Sequence, residues 1–223
     1  MAAPSKHKES EGPASRDRIL VAASAEFAAR GYAGCGVDRI AHRARVNKAM
    51  IYYHFKNKQT LYRAILRDIF SAIGGRVRVI ATSHCSPEQK LDAFIETLVR
   101  GGEANPHFAP MMLRELAEGG AHLDPEILRL MAGLLESVRA IVVEGERDGA
   151  FRPAHPALTH FTIVGPIMFF LGSAQVRTAV ADLRIADLTG TDSAAFIGHL
   201  QEMTRRGLAS RSAGLYEERT PKS

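Results

Sequence analysis

The segment from Arg45 to Leu61 combines side chains that bind phosphates and base edges with a spacing that places them on a short helix. Asn47 is a residue type favoured at a helix N-terminus, and Ile51 and Phe55, four residues apart, would share one buried face. The lysine, tyrosine and histidine side chains then point elsewhere, which suits a nucleic acid. A helix this short is unstable alone in water, so other elements must brace it.

The residue types divide this segment into two kinds of DNA contact. We expect Lys48, Ala49 and Met50 to meet base edges, because lysine donates to guanine O6 or N7 and apolar side chains contact thymine methyl groups. We expect phosphate contacts from a second set, which would set register rather than sequence: Tyr52, Tyr53, His54 and Lys58. Tyr52 has an alternative role as a core aromatic residue, since such rings often pack and hydrogen-bond at once.

Two helical patterns precede this segment and can brace it. Ser15 is a suitable N-cap for a first helix that ends at Gly31, with apolar residues at helical spacing (Leu20, Ala23, Phe27). A second short helix places four apolar residues on one stripe: Val37, Ile40, Ala41 and Ala44. Only Arg45 and Val46 separate this helix from Asn47, so the pattern predicts a helix-turn-helix over about residues 36–55.

The distribution of charge agrees with a DNA-binding N-terminal part. The chain has 223 residues and a formal net charge of +5, but the first 70 residues carry +7 and the remainder −2. A basic segment beside a near-neutral body fits a nucleic-acid-binding domain, and a solvated basic surface is the alternative.

Other classes of protein lack support in the sequence. Cys35 and Cys85 match no Cys-x-x-Cys spacing, and His155 and His160 are five apart rather than four, so no metal site or cofactor is predicted. The motifs of serine hydrolases, phosphate-binding loops and zinc proteases are absent, which argues against an enzyme. No signal segment or run long enough to span a membrane is found, so we expect a soluble, cytoplasmic protein.

The rest of the chain reads as successive helices. A segment from Gln59 to about Ala81 would link the basic N-terminal part to the remainder of the chain, the body, and Gly74-Gly75 within it would either kink it or mark close packing. Further helical patterns cover 87–103, 106–119, a helix capped by Asp124 and reaching 148, one that opens at Pro156 and extends to about 176, and a last one through 196–203. Residues 1–12 and 212–223 are predicted to be a flexible arm and a flexible tail.

The order of these residues is similar to the DNA-binding domain of the tetracycline-repressor (TetR) family. The similarity runs without a gap from Pro13 to about Ile73 and rests on Ile19-Leu-x-Ala-Ala23, Phe27, Gly31-Tyr32, Val37-x-x-Ile40-Ala41, Val46-x-Lys48, Ile51-Tyr52-Tyr53-His54-Phe55 and Lys58-x-x-Leu61. It implies an all-α homodimer, with a three-helix DNA-binding domain at 13–73 and a larger helical bundle for ligand binding and dimerisation at 74–211. It also implies a repressor that a small molecule releases from a palindromic operator. An activator, or a DNA-binding protein without an effector, is the alternative.

Candidate sites follow from this resemblance. The expected DNA-binding residues are Gly36, Val37, Arg39, Arg45, Asn47, Lys48, Ala49, Met50, Tyr52, Tyr53, His54 and Lys58. The family often has Thr or Ser near Cys35-Gly36 and Gly-Thr at Ala49-Met50, so one phosphate contact and the base preference are not carried over.

The body supplies two further sets of candidates. For an apolar or aromatic effector we expect His107, Met111, Met112, Arg114, Met131, Leu135, Phe161, Gly165 and Phe169, with ordinary core packing as the alternative. For a four-helix dimer contact we expect Phe161, Met168, Leu171, Val176, Phe196, Leu200 and Met203, with a covered monomer core as the alternative.

Overall fold

Ten α-helices make up the regular structure of residues 11–210, the part of the chain that this computed structural model describes. They are α1 (Glu11–Gly34), α2 (Val37–Ala44), α3 (Lys48–Phe55), α4 (Lys58–Ala81), α5 (Pro87–Ala104), α6 (Phe108–Ala117), α7 (Pro125–Arg147), α8 (Pro156–Gly172), α9 (Ala174–Asp182) and α10 (Ser193–Leu208). No strand occurs in that range, and an isolated bridge joins Phe151 to Ala209. The predicted all-α fold is confirmed.

The first helix differs from its prediction at one end. The expectation that Ser15 caps α1 is wrong, because α1 begins at Glu11 and Ser15 is buried inside it. Pro13 falls in the first turn, where a missing N–H leaves no hydrogen bond unmade. The break expected at Gly31 is present, with φ 70° and ψ 175°. The predicted tail, and the predicted arm apart from residues 11 and 12, lie outside the described residues.

The head, which we define as α1–α3 with the first half of α4, is built around side chains that exclude water. Phe27 of α1, Ile40 of α2, Ile51 of α3 and Leu61 of α4 are each at most 1% exposed. Burying such side chains contributes about 1.5–3 kcal/mol each. This packing supplies the brace that the isolated α3 lacks.

The body comprises the remainder of α4 with α5–α10. In it α4 packs along α7 and α5, and α5 also contacts α8 and α10. Helix α6 lies between α1 of the head and α8 of the body. One continuous apolar core runs through both parts, from Ile19 to Leu208. A displacement of α6 would therefore shift its contacts with both α1 of the head and α8 of the body.

Two expectations about the long helices are resolved. Helix α4 continues through Gly74 and Gly75, and a Cβ at either glycine would meet no neighbour within 4 Å, so the two glycines do not mark a close packing contact. The helix opening at Pro156 ends at Gly172 rather than near Val176, and α9 follows at an angle of 53°. No single helix within residues 11–210 is long and apolar enough to span a membrane; only this bent pair, taken together, meets those criteria.

Candidate nucleic-acid interface and internal cavity

The turn between α2 and α3 is as tight as the sequence predicts. Arg45 ends α2 in the left-handed conformation (φ 54°, ψ 47°), and the Val46 N–H returns to the Ala41 carbonyl over 3.0 Å. The Asn47 side chain then accepts a hydrogen bond from the Ala49 N–H at 2.6 Å, which caps α3. The orientation of α3 is thus fixed by backbone and cap hydrogen bonds.

Helix α3 presents one buried and one exposed face. Ile51 and Phe55 are 0% and 3% exposed, whereas Tyr52 and Tyr53 are 44% and 79% exposed. Tyr52 is therefore not a core aromatic residue, and the alternative held open for it is removed. Of the expected DNA-binding residues, eight are exposed (Gly36, Arg39, Arg45, Asn47, Lys48, Ala49, Tyr52, Tyr53) and four are half-buried (Val37, Met50, His54, Lys58).

Lys48 already has an anionic partner on the neighbouring helix. Its Nζ lies 2.8 Å from a carboxylate oxygen of Asp38, and this hydrogen bond raises the pKa of the lysine. Both side chains are exposed, so water screens the pair and its contribution to stability is small. Contact with a base edge would require Lys48 to leave Asp38.

Lys58 has a structural role in addition to the expected phosphate contact. Its ammonium donates to the Tyr32 carbonyl at 2.9 Å and to the Cys35 carbonyl at 3.1 Å, and lies 4.3 Å from the centre of the Tyr32 ring. These bonds close the turn between α1 and α2, where Gly36 caps α2 without a side-chain bond. The phosphate contact expected of Lys58 stays a prediction.

Three arginines converge on one buried carboxylate in the head, and of these Arg39 alone is among the expected DNA-binding residues. Glu26 is 7% exposed and accepts hydrogen bonds from Arg30, Arg39 and Arg43. Burial opposes ionisation of Glu26, but the bonds from Arg43, Arg39 and Arg30 outweigh it and hold its pKa below the ordinary value. Glu26 thereby orients Arg39 and Arg43, two cations of α2, the helix that precedes α3. The i, i+4 spacing of Glu26 and Arg30 was the available signal.

The body encloses an apolar cavity of about 110 Å³ between α4–α8. It is lined by Phe70, Ile73, Leu98, Gly102, Phe108, Met112, Leu116, Met131, Leu134, His160, Val164, Ile167, Met168 and Leu171. Among these, His160 carries the single side chain with a nitrogen or oxygen atom. His160 is 9% exposed, its Nδ1 is buried without a hydrogen-bond partner, and burial lowers its pKa.

The cavity contains only part of the predicted effector set. Met112 and Met131 line it, whereas His107, Met111, Arg114, Leu135, Phe161, Gly165 and Phe169 do not. Met111 is 1% exposed within the core, and Phe161 and Phe169 point outward, 65% and 72% exposed. Helical spacing alone could not say which face of each helix the cavity occupies.

The predicted dimer residues fall into two groups. Phe161, Val176 and Met203 are 56–65% exposed, which leaves apolar surface for a partner. Met168 and Leu171 are half-buried and line the cavity, Leu200 is buried, and Phe196 stacks on Phe170 with ring centres 4.0 Å apart. The dimer assignment of all seven residues stays a prediction.

A buried polar cluster joins the head to the body. Glu115 of α6 is 1% exposed and accepts hydrogen bonds from the Tyr62 hydroxyl at 2.9 Å and the His122 N–H at 2.7 Å. His122 Nδ1 lies 3.0 Å from Glu115, and its ring lies 3.8 Å from the Tyr32 ring. Burial opposes ionisation of Glu115, but these bonds outweigh it and lower its pKa, while burial and then Glu115 raise the pKa of Tyr62.

A second acidic side chain, Glu118, lies close to this cluster. A carboxylate oxygen of Glu118 comes within 4.8 Å of ligand atoms of Glu115 and His122. Both carboxylate oxygens of Glu115 already accept hydrogen bonds from Tyr62 and His122. These hydrogen bonds account for the close approach of Glu115 and His122. We call Tyr32, Tyr62, Glu115 and His122 the junction cluster.

A braced, exposed helix after a tight turn, beside a larger helical body, defines a helix-turn-helix transcription regulator. The chain belongs to the TetR family. Residues 19–65 match the family model for bacterial regulatory proteins of the tetR family, and residues 87–193 match that for the tetracyclin repressor-like C-terminal domain.

Relatives and solved structures agree with this assignment. The chain is 30% identical to the HTH-type transcriptional repressor SCO4008 of Streptomyces coelicolor, in an alignment that covers 75% of this chain and 79% of the relative. It is 26% identical to the repressor NicS of Pseudomonas putida, in an alignment that covers 86% of this chain and 92% of NicS. The fold is similar to that of the fatty acid degradation regulator FadR of Bacillus halodurans, with a TM-score of 0.69 at 22% identity and coverage of 88% and 97%.

Proposed function

We propose that this protein is a homodimeric repressor that binds a palindromic operator through α2 and α3, and that a small molecule in the internal cavity releases it. The observation that carries this proposal is the double role of α6. One face of α6 supplies Phe108, Met112 and Leu116 to the cavity wall. Its other residues reach the head: Arg114 donates to the Ala28 carbonyl at 3.1 Å and Glu115 accepts from Tyr62. A ligand that moved α6 would reorient the head.

The DNA contacts proposed for α3 agree with its exposure. We expect Lys48, Ala49 and Met50 to meet base edges, and Tyr52 and Tyr53 to meet phosphates. Arg39 has a guanidinium that remains half-exposed despite its bond to Glu26, so it can reach a phosphate as well. In a dimer, two such helices would read half-sites related by two-fold symmetry.

The dimer proposal is supported by the outward face of α8. Phe161 and Phe169, about two turns apart on α8, are 65% and 72% exposed and leave apolar surface on that helix. Met203 of α10 is 56% exposed and adds apolar surface on a second helix. Pairing α8 and α10 with the same helices of a second copy would bury this surface and supply the two-fold axis.

Footprinting on the DNA upstream of its own gene tests the operator proposal. We expect protection of two half-sites separated by about one or more helical turns, and binding that falls steeply with salt. A Lys48→Ala, Tyr53→Ala double variant should lose this protection while its circular dichroism is unchanged. Arg76→Ala is the matched control, since Arg76 is an exposed cation on the body part of α4. Unchanged protection in the double variant would refute the assigned interface.

Transcription from the protected promoter with purified RNA polymerase separates the two modes of regulation. A repressor lowers the transcript yield when protein is added, and a ligand that releases it restores the yield. An activator raises the yield instead, and that result would overturn the proposed repression while leaving the DNA interface intact.

A further inference from the structure

His160 is chemically distinct from everything else that lines the cavity. The other lining residues offer carbon, sulfur or glycine backbone, whereas the imidazole offers a nitrogen with a lone pair and one N–H. Its ring is held by edge contacts with Phe94 and Phe161, at centre distances of 6.5 Å and 5.7 Å. The imidazole therefore has a fixed position at the cavity wall.

The unpaired Nδ1 carries an energetic cost that a ligand could remove. Buried polar atoms are nearly always hydrogen-bonded, and Nδ1 has no partner among the described residues. His160 is also more than nine-tenths buried. In known proteins, binding pockets are largely apolar with a few polar groups that fix the orientation of the ligand. The cavity has this composition with a single such group.

The surroundings also limit the charge of a ligand. No lysine or arginine is among the described residues that line the cavity, and burial lowers the pKa of the imidazole, which favours its neutral form. A carboxylate or phosphate placed there would lose its hydration without gaining a cation, which is strongly unfavourable. An uncharged hydroxyl or carbonyl group would need only one hydrogen bond. The cavity measures about 110 Å³, so the part of the ligand that it holds is comparable in size to one small ring.

We infer that the effector is an uncharged, mainly apolar molecule with a hydroxyl or carbonyl group that hydrogen-bonds the His160 imidazole. This inference rests on the proposed function, because it assigns the chemistry of the effector in the same cavity. His160 is then the specificity-determining residue of the site. Met112, Met131 and Met168 supply flexible walls that adapt to the apolar part of the ligand.

Three probes that share a methyl-substituted benzene ring test the inference by calorimetry on the full-length protein: toluene, p-cresol and p-toluate. We expect p-cresol to bind about 3–10-fold more tightly than toluene, the factor that one net hydrogen bond provides, and p-toluate to bind more weakly than both. In His160→Phe the preference for p-cresol should vanish or reverse. His155→Phe, an exposed position at the start of the same helix, is the matched control and should retain the preference.

A second measurement keeps the inference testable if His160→Phe does not fold. In wild-type protein labelled with ¹⁵N-histidine, p-cresol should shift an imidazole resonance that toluene leaves in place. Equal affinities of toluene and p-cresol, or a preference that survives in His160→Phe, would overturn the inference. Operator binding is measured separately by footprinting without any probe. A retained footprint with no p-cresol preference refutes the effector chemistry alone, and a lost footprint with the preference intact refutes the regulatory function alone.

Discussion

Tyr62 donates its hydroxyl hydrogen to Glu115 across 2.9 Å, which joins the helix leaving the head to the short helix that walls the cavity. Both side chains are buried, and Glu115 also receives two bonds from His122. A carboxylate in this position is stable only while its partners are present. The contact between head and body therefore depends on a hydrogen-bond network rather than on apolar packing alone.

Tyr62→Phe should lower the free energy of unfolding by about 1–2 kcal/mol, because Glu115 loses one of its donors while the ring packing is kept. Glu115→Gln should cost about 1–3 kcal/mol. Urea unfolding of both single variants and the double variant measures the coupling between them. Additive losses would show that the two side chains act independently.

The junction cluster should also contribute to stability in acid. The folded-state pKa of Glu115 lies below its ordinary value of 4.5, so its stabilising contribution is complete above about pH 4.5 and is lost as the pH falls through the folded pKa. The difference in unfolding free energy between wild type and Glu115→Gln should then narrow from pH 6 to pH 3. A difference that stays constant over this range would contradict the assignment. Other acidic groups with lowered pKa values, such as Glu26, cancel in this comparison.

Lys58→Ala should lower the free energy of unfolding by about 1 kcal/mol, because two carbonyls lose their charged donor and the Tyr32 ring loses its cation. It should also weaken binding to all DNA sequences similarly and reduce the salt slope by about one. Lys56→Ala removes an exposed charge two residues away and is the control for stability.

Met50→Ala should instead change which operator variants are preferred. An equal change of preference in Met50→Ala and Lys58→Ala would refute the division into base and phosphate contacts.

Gly102→Ala should reduce the cavity without unfolding the protein. A Cβ at Gly102 would overlap the Cδ1 atom of Leu171, the flexible end of a side chain that lines the cavity, so Leu171 must turn away. We expect p-cresol and toluene to lose affinity together, by about tenfold, as measured by calorimetry. Gly133→Ala is the control, since a Cβ there meets nothing within 4 Å and should stabilise α7 by about 0.5–1 kcal/mol. Unchanged affinity in Gly102→Ala would place the ligand elsewhere.

Phe161→Ser with Phe169→Ser should weaken the dimer at least tenfold, because both side chains would be buried by a second copy. Sedimentation velocity over a range of concentrations measures the dissociation. Val79→Ser, which removes a 70% exposed apolar side chain from α4, should leave the dimer unchanged. A double variant that remains dimeric at the wild-type concentration would exclude this face of α8.

The sequence was sufficient where one local rule determines the structure. The apolar spacing of Ile51 and Phe55, the cap at Asn47 and the short turn at Arg45 all act within a few residues, and each predicted feature is present. The start of α1 was misplaced because a helix can begin before its best capping residue when Pro13 fits the first turn. Propensity is a weak guide to such boundaries.

The cavity could not be derived in the same way. Phe161 and Met168 occupy the same helix at helical spacing, yet one faces outward and the other lines the cavity. Their roles depend on where α5 and α6 lie against α8, which is a tertiary relationship without a local signal. In the sequence His160 stands out only by its spacing from His155, whereas the fold surrounds it with apolar residues and leaves its Nδ1 without a partner.

The left-handed backbone at Arg45 makes this position a place where substitutions can change how rigidly α3 is held. A non-glycine residue in that conformation costs about 1 kcal/mol relative to glycine. Arg45→Gly would relax the turn and remove a charge, whereas Arg45→Asn would remove the same charge in a residue that tolerates the conformation. Comparing the two substitutions separates the rigidity of the turn from its charge, and allows the affinity for DNA to be adjusted without altering any residue of α3.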